Sequence, residues 1–223
     1  MDFNNFFQKG YYINLDRRTD RREEFESEMS KYGMLDFFER VSAEDSIIEP
    51  NPIIKHAYCA LTYHKLFKKI LDDGYENVVI FEDDAYFYNG GKKSGIEIIE
   101  SALIELKDFD WDLFYFGGHP GYNLEIVSDN LGICEHILTT HAVAYKRHVM
   151  ERVVKEYVPF SDSAIDGWLT ARDGIKKFIT TELAIPQRNG NSDLDASGRS
   201  AGVEVFLESY RTVNKIDNRN GLK

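Results

Sequence analysis

Three adjacent carboxylates, Glu82, Asp83 and Asp84, stand directly after the apolar run Val78-Val79-Ile80-Phe81. Carboxylates crowded in this way repel one another until something cationic joins them, and hard oxygen donors suit Mg²⁺ or Mn²⁺. The run before them is β-branched and aromatic, so it reads as a short strand buried on both faces, as in the centre of a parallel sheet. The acids then fall at its carboxyl end, where open α/β sheets collect their ligands. Alternation along an extended chain sends Glu82 and Asp84 to one side and Asp83 to the other, giving one face a pair of oxygen donors. The competing reading is a set of solvated acids closing a strand. A solvated end has no need of three, and the chain turns apolar again at Tyr86-Phe87.

A basic cluster is the second group able to do chemistry. Arg17, Arg18, Arg21 and Arg22 fall within six residues, between the strand-like Tyr11-Tyr12-Ile13-Asn14-Leu15 and a helical pattern running to about Lys31. At a βα junction such a cluster is a cradle for the phosphates or base of a nucleotide. Its alternative is ordinary pairing with Glu23, Glu24 and Glu26 on the helix surface. Thr19 or Asp20 is placed to cap that helix, with Glu23 completing a capping box.

The elements that must hold these groups alternate. After the first strand and helix, Phe37 to Val41 reads as a second strand, with Pro50 and Pro52 marking an irregular connection. Apolar residues from Ile53 to Leu71 recur every three or four positions, predicting an amphipathic helix stopped by Asp73-Gly74. His64 lies within it and, by spacing alone, reads as a packing or surface histidine. The acid-tipped strand is followed by a helical pattern over Ile96 to Leu106 and a buried strand over Trp111 to Phe116. Tyr122 to Ile133 is polar and irregular, an expected excursion over the site. Thr139 to Tyr145 alternates like a strand; Arg147 to Glu156 and then Ile165 to Leu169 read as helices. Phe178 to Ile185 is a last strand, and Val203-Val205-Leu207 fits either an edge strand or a helix. Strand and helix in alternation predict an α/β protein with a mostly parallel sheet covered on both faces. The expectation is one domain over residues 1–223, with acceptor-side and tail elements from about residue 120.

Composition narrows the function. Of 223 residues 43% are hydrophobic and 13% aromatic, so a packed core is expected. A net charge of −11 argues against a nucleic-acid or anionic-membrane binder, because phosphate affinity rests on massed Lys and Arg. No apolar window reaches membrane-spanning length and the start carries no leader pattern, so a cytoplasmic protein is expected. The lean toward Asn, Lys, Ile, Tyr and Phe suits an AT-rich genome, bacterial or viral; for a virus the compartment is the host cytoplasm. Cys59 and Cys134 read as free buried thiols.

Taken in order, several of these stretches resemble glycosyltransferase family 25, which includes bacterial lipooligosaccharide galactosyltransferases and collagen hydroxylysine galactosyltransferases. The resemblance is carried by Tyr12-Ile13-Asn14-Leu15-Asp16-Arg17-Arg18-Thr19-Asp20-Arg21, Val41-Ser42-Ala43-Glu44-Asp45 and Cys59-Ala60-Leu61-Thr62-Tyr63-His64. It continues through Val79-Ile80-Phe81-Glu82-Asp83-Asp84, Thr140-His141-Ala142 and Ile165-Asp166-Gly167-Trp168-Leu169, and more weakly through Pro186-Gln187 and Ser192-Asp193. It departs from the family where glycines usually flank the cysteine and a serine stands two before the histidine; here the residues are His56-Ala57-Tyr58-Cys59 and Thr62.

The resemblance implies a GT-A fold, a Rossmann-like sheet with a metal-binding acidic motif. It also implies transfer of a hexose, galactose or glucose, from a UDP-sugar to a hydroxyl on a glycan or hydroxylated protein, with inversion and with Mn²⁺ or Mg²⁺. On that basis Asp84 is the direct metal ligand, and Glu82 is either a water-mediated ligand or a ribose contact. His141 is either a third ligand, a phosphate contact or a bonded core histidine. Asn14, Asp16, Arg21, Ala43, His64, Glu82 and Asp83 line the donor site, with Arg17 and Arg18 as further candidates beside them. Asp166 is the base, or else a helix-end partner, with Asp162 the second choice. Two other functions stay open: a Mg²⁺-dependent phosphohydrolase, which usually places an aspartate where Glu82 stands, and a non-catalytic sugar-nucleotide-binding protein.

Overall fold

The computed structural model describes residues 3–46, 51–121, 124–189, 193 and 203–220. Along the chain come α1 (Phe3–Phe6), β1 (Lys9–Asn14), α2 (Thr19–Lys31), β2 (Phe38–Ser42), α3 (Pro52–Asp72), β3 (Asn77–Glu82) and α4 (Gly95–Leu106). There follow β4 (Leu113–Tyr115), β5 (His119–Pro120), β6 (Glu125–Ile126), β7 (Leu131–Ile133), β8 (Ile137–Leu138) and β9 (Ala142–Lys146). Then come α5 (Arg147–Glu156), α6 (Ile165–Thr170), β10 (Lys177–Thr180) and α7 (Val203–Asn220).

Among the described residues eight strands form one mixed sheet in the order β2-β1-β3-β9-β4-β10-β7-β6, while β5 and β8 pair separately. β1 runs parallel to β2 and β3, and β4 parallel to β10; only β9 and β7 run against the rest. The register sets Ile13 beside Glu82 and Asn14 beside Ser42, so the carboxyl ends of β1, β2 and β3 finish level with one another.

β3 explains why its residues are uninterruptedly apolar. Val78 and Ile80 join a core under α3, α5, α6 and α7, where Tyr63, Phe67, Val149, Trp168 and Phe206 pack. Val79 and Phe81 join the opposite core under α1, α2 and α4, with Phe3, Phe25, Met29 and Leu103. Fully burying a side chain such as Phe81 stabilises the fold by about 2–3 kcal/mol, so the strand that carries the acids is also among the most firmly held.

Several expectations need correction. β3 is bordered by parallel β1 on one side and antiparallel β9 on the other, so the sheet is mixed at its centre. Leu124 to Ile133 does not cover the acids; it folds as β6 and β7 on the far edge of the sheet, because β7 finds pairing groups on β10. The last strand stops at Thr180, and Val203 to Leu207 is helical. α2 begins at Thr19 with Arg18 at its cap and no side-chain cap bond; Asp20 takes the Arg18 guanidinium instead, at 2.9 and 2.7 Å. Expectations resting on Pro50, Tyr122 and Ser192 lie outside the described residues. Both cysteines are free. Among the described residues no helix is long and apolar enough to cross a membrane.

Candidate active site

β3 ends at Glu82, and the Ala85 amide donates back to the Glu82 carbonyl at 3.1 Å. Asp83 and Asp84 therefore sit in a tight turn, where strand alternation no longer applies. The expected split, Glu82 with Asp84 and Asp83 apart, is replaced by a different one. Arg21 Nη1 lies 3.1 Å from Asp83 and 3.6 Å from Asp84, whereas Glu82 faces α3. There Glu82 Oε1 accepts from the Tyr63 hydroxyl at 2.9 Å and from Thr140 Oγ1 at 3.3 Å.

The turn is braced from both sides. Asn14 Nδ2 donates to Asp83 at 2.7 Å, while Asn14 Oδ1 accepts from Arg40 at 3.0 and 2.9 Å. On the other side the segment after β10 lies against the turn. Ala184 accepts from the Tyr88 amide at 2.9 Å, and the Arg188 amide donates to the Asp84 carbonyl at 2.8 Å. Gln187 Nε2 stands 3.4 Å from both carboxylate oxygens of Asp84.

Above the level ends of β1 and β3 opens a cavity of about 290 Å³, lined by Arg21, Ala43, Glu82, Asp83, Asp84 and Asp166, with Cys59, Tyr63, Thr140, Gln187 and Asp193 between them. The Cys59 thiol is pushed up by burial and then by the charges of Glu82, Asp166 and Asp84, so acids from the end of β3 and from α6 all lie within electrostatic reach of it. Burial pushes the Glu82 carboxyl up to about 8, reinforced by the Asp84 charge. Burial pushes Asp84 up to about 6 and raises Asp83 too, against the pull of Arg21 on both. Arg21 thus pairs with Asp83 and Asp84 while Glu82 lines the same cavity, a gathering of carboxylates that a divalent cation would neutralise. Among the described residues no three or more His, Cys, Asp or Glu side chains cage a metal position. A cation that pairs with a nucleotide is commonly held by one or two carboxylates plus the substrate's phosphates. Asp84 and Glu82 fit that donor set.

Asp166, in the first turn of α6, accepts from the Thr139 amide at 3.2 Å and from the Gly167 amide at 2.7 Å, and lines the cavity. Thr139 holds its amide there with φ of 74°, a conformation uncommon for a β-branched residue and frequent where function demands a fixed donor. Arg17 pairs with Asp45 and Asp193, and Arg18 with Asp20 and Asp193. Asp16 is exposed and bound by Arg40 and Ser42, and like Arg17 and Arg18 it falls outside the cavity lining.

Three further expected residues lie elsewhere. His141 is fully buried, its Nε2 2.8 Å from the Ile185 carbonyl and its Nδ1 3.1 Å from Thr139 Oγ1, so both nitrogens are engaged and it is a core histidine in place of a metal ligand. His64 turns its Nε2 toward the Val154 carbonyl of α5, 3.3 Å away, outside the cavity lining. Asp162 accepts from the Val158 amide and braces its own loop. Tyr63, Thr140 and Gln187 were missed by sequence reasoning. For Tyr63 a signal existed: Cys59, Thr62 and Tyr63 share one face of α3 by their i, i+3, i+4 spacing, and that face meets the cavity.

The fold is an α/β, Rossmann-like mixed sheet with acids at a strand end. A family model described as glycosyltransferase family 25 (LPS biosynthesis protein) matches residues 7–180, and the chain belongs to that family; it is a glycosyltransferase. Among solved structures the chain is similar to a glycosyltransferase involved in glycosylation of the major capsid of PBCV-1, at 10% identity and TM-score 0.42, covering 77% of this chain and 80% of that one. It is similar as well to a UDP-glucose pyrophosphorylase complexed with UDP-glucose, at 9% identity and TM-score 0.45 over 93% and 81%. A putative glucose-1-phosphate thymidylyltransferase from Bacillus anthracis matches at 12% and 0.42, over 91% and 75%.

Proposed function

We propose that the protein is a metal-dependent inverting glycosyltransferase that moves a hexose from a UDP-sugar to a hydroxyl of a glycan or hydroxylated-protein acceptor. The observation that carries this reading is a single cavity lined by Glu82, Asp83, Asp84 and Arg21 from one side of the sheet order and by Asp166 from α6. Displacement with inversion needs those two functions in one space, a seat for the leaving diphosphate and a carboxylate for the incoming hydroxyl.

Asp84 and Glu82 would hold Mn²⁺ or Mg²⁺, whose chemistry is Lewis-acid neutralisation of the charge that builds on a departing nucleoside diphosphate. Arg21 adds a fixed guanidinium to the same end. Asn14 and Ala43 shape the floor of the donor site, and Asp16, Arg17 and Arg18 stand around it. Asp166 takes the proton of the acceptor hydroxyl as its oxygen bonds to the sugar's anomeric carbon and the bond to the diphosphate breaks. The amides of Thr139 and Gly167 keep that carboxylate aimed.

The test is a panel of UDP-, GDP- and CMP-sugars, each with and without Mn²⁺, read by thermal shift and by release of nucleotide. One UDP-hexose is expected to stabilise the protein in a Mn²⁺-dependent way. Asp166→Asn should keep that shift and lose transfer. Stabilisation by no nucleotide sugar, or by one that ignores Mn²⁺, overturns the reading.

A further inference from the structure

The loop from Tyr157 to Ala164, between α5 and α6, is tightly tied to itself. Asp162 accepts from the Val158 amide at 2.7 Å, the amides of Ser161 and Asp162 both donate to the Val158 carbonyl at 3.2 and 3.1 Å, and the Tyr157 hydroxyl donates to the Ser163 carbonyl at 2.9 Å. At its tip this rigid loop displays a large apolar ring. Phe160 is 53% exposed, Val158 beside it 54%. Phe160 has φ of 73°, which glycine adopts freely and a bulky L residue only under strain. The strained backbone and the exposed ring both run against stability, and strain of this kind gathers at ligand-binding positions.

Position says which ligand. The Phe160 ring stands edge-on to Tyr58, centroids 5.3 Å apart and planes at 82°. Tyr58 precedes Cys59, and its carbonyl accepts from Thr62 Oγ1 at 3.1 Å; Cys59 and Thr62 both line the cavity. From the other end of the loop, Ala164, Ile165 and Asp166 line it too. Both supports of the aromatic pair therefore adjoin residues that line the cavity holding Asp166.

We propose that Phe160, backed by Tyr58, is a platform on which a pyranose ring of a carbohydrate acceptor rests while its hydroxyl reaches the cavity. A pyranose carries a face of C–H groups that complements the negative face of an aromatic ring, and its hydroxyls can stay in water. A peptide acceptor would call for backbone pairing or a groove. The Val158, Ser161 and Asp162 backbone groups that could offer pairing are spent inside the loop. The proposal deepens the glycosyltransferase reading by choosing a glycan over a hydroxylated protein, and it rests on the role given to Asp166.

Phe160→Gly is the decisive variant, because it removes the ring and relieves the backbone, so it should fold with an unchanged or higher Tm. Saturation-transfer NMR with galactose, glucose, N-acetylglucosamine and lactose reads binding directly, without a donor. At least one of these should bind the wild type and Phe160→Tyr, and bind Phe160→Gly about five- to tenfold more weakly. In turnover, Phe160→Gly should raise the acceptor KM by the same factor. Equal binding to wild type and Phe160→Gly, no saccharide bound by the wild type, or Phe160-dependent binding of a hydroxylysine peptide alone each overturn the platform. Failure of the transferase reading shows separately, as a protein that handles no nucleotide sugar.

Discussion

The Tyr63 hydroxyl stands 2.9 Å from Glu82 Oε1 and links the middle of α3 to the last residue of β3. The bond favours the ionised carboxylate, opposing the burial that pushes Glu82 up to about 8. Tyr63→Phe therefore raises the Glu82 pKa further. The variant is expected to keep its fold, bind Mn²⁺ with UDP-sugar about tenfold more weakly, worth ~1.4 kcal/mol, and shift the acidic limb of its pH–rate profile to higher pH. Calorimetric titration and kcat/KM against pH check both parts; an unmoved limb refutes the role given to the pair.

Asp84→Asn should be inactive yet more stable. Burial raises the folded-state pKa of Asp84 to about 6, above its unfolded value, so an ionised Asp84 at neutral pH disfavours the metal-free fold. By linkage that penalty is about 1–3 kcal/mol at pH 7 and is relieved as pH falls through 6 toward 4. Chemical denaturation without metal at pH 7 should show the Asn variant ahead of the wild type, with the gap closing at pH 4.5.

His141 gives the opposite slope. Burial lowers its pKa to about 4, so below pH 6.5 the unfolded chain takes up a proton that the native chain refuses. Native stability due to this group is full above 6.5 and is lost as pH falls toward 4, by about 3 kcal/mol in all. Because His141→Gln removes that dependence, the stability of wild type relative to the variant should decline across this window in pH-stepped urea titrations.

Gly117 has a close-approach requirement. A Cβ there would stand 1.9 Å from the Ile185 carbonyl, the acceptor that His141 uses. Gly117→Ala should push away the segment that also carries Gln187, destabilising the protein by about 2–3 kcal/mol. Its Tm should fall, and Mn²⁺-dependent nucleotide binding should weaken with it. A variant with unchanged Tm and binding would mean the segment does not position Asp84.

Local residue order was enough to place the acids at the end of a buried strand, because the β-branched and aromatic Val78 to Phe81 favour a short strand over a helix for an unbroken apolar run followed by charge. It was enough as well for α2, α3, α4 and α5, whose periodicities survive in the structure, and for the link to family 25, carried by an ordered set of short motifs. It could not say that the chain turns at Asp83, which depends on Asn14, Arg21 and the Ala184 to Arg188 segment arriving from distant parts of the chain. Nor could it separate His141 from the metal site or assign Tyr63 to Glu82. Which nitrogen, hydroxyl or carboxylate a side chain meets is set by strand order and helix packing, and those contacts join residues tens of positions apart, beyond the reach of any local pattern.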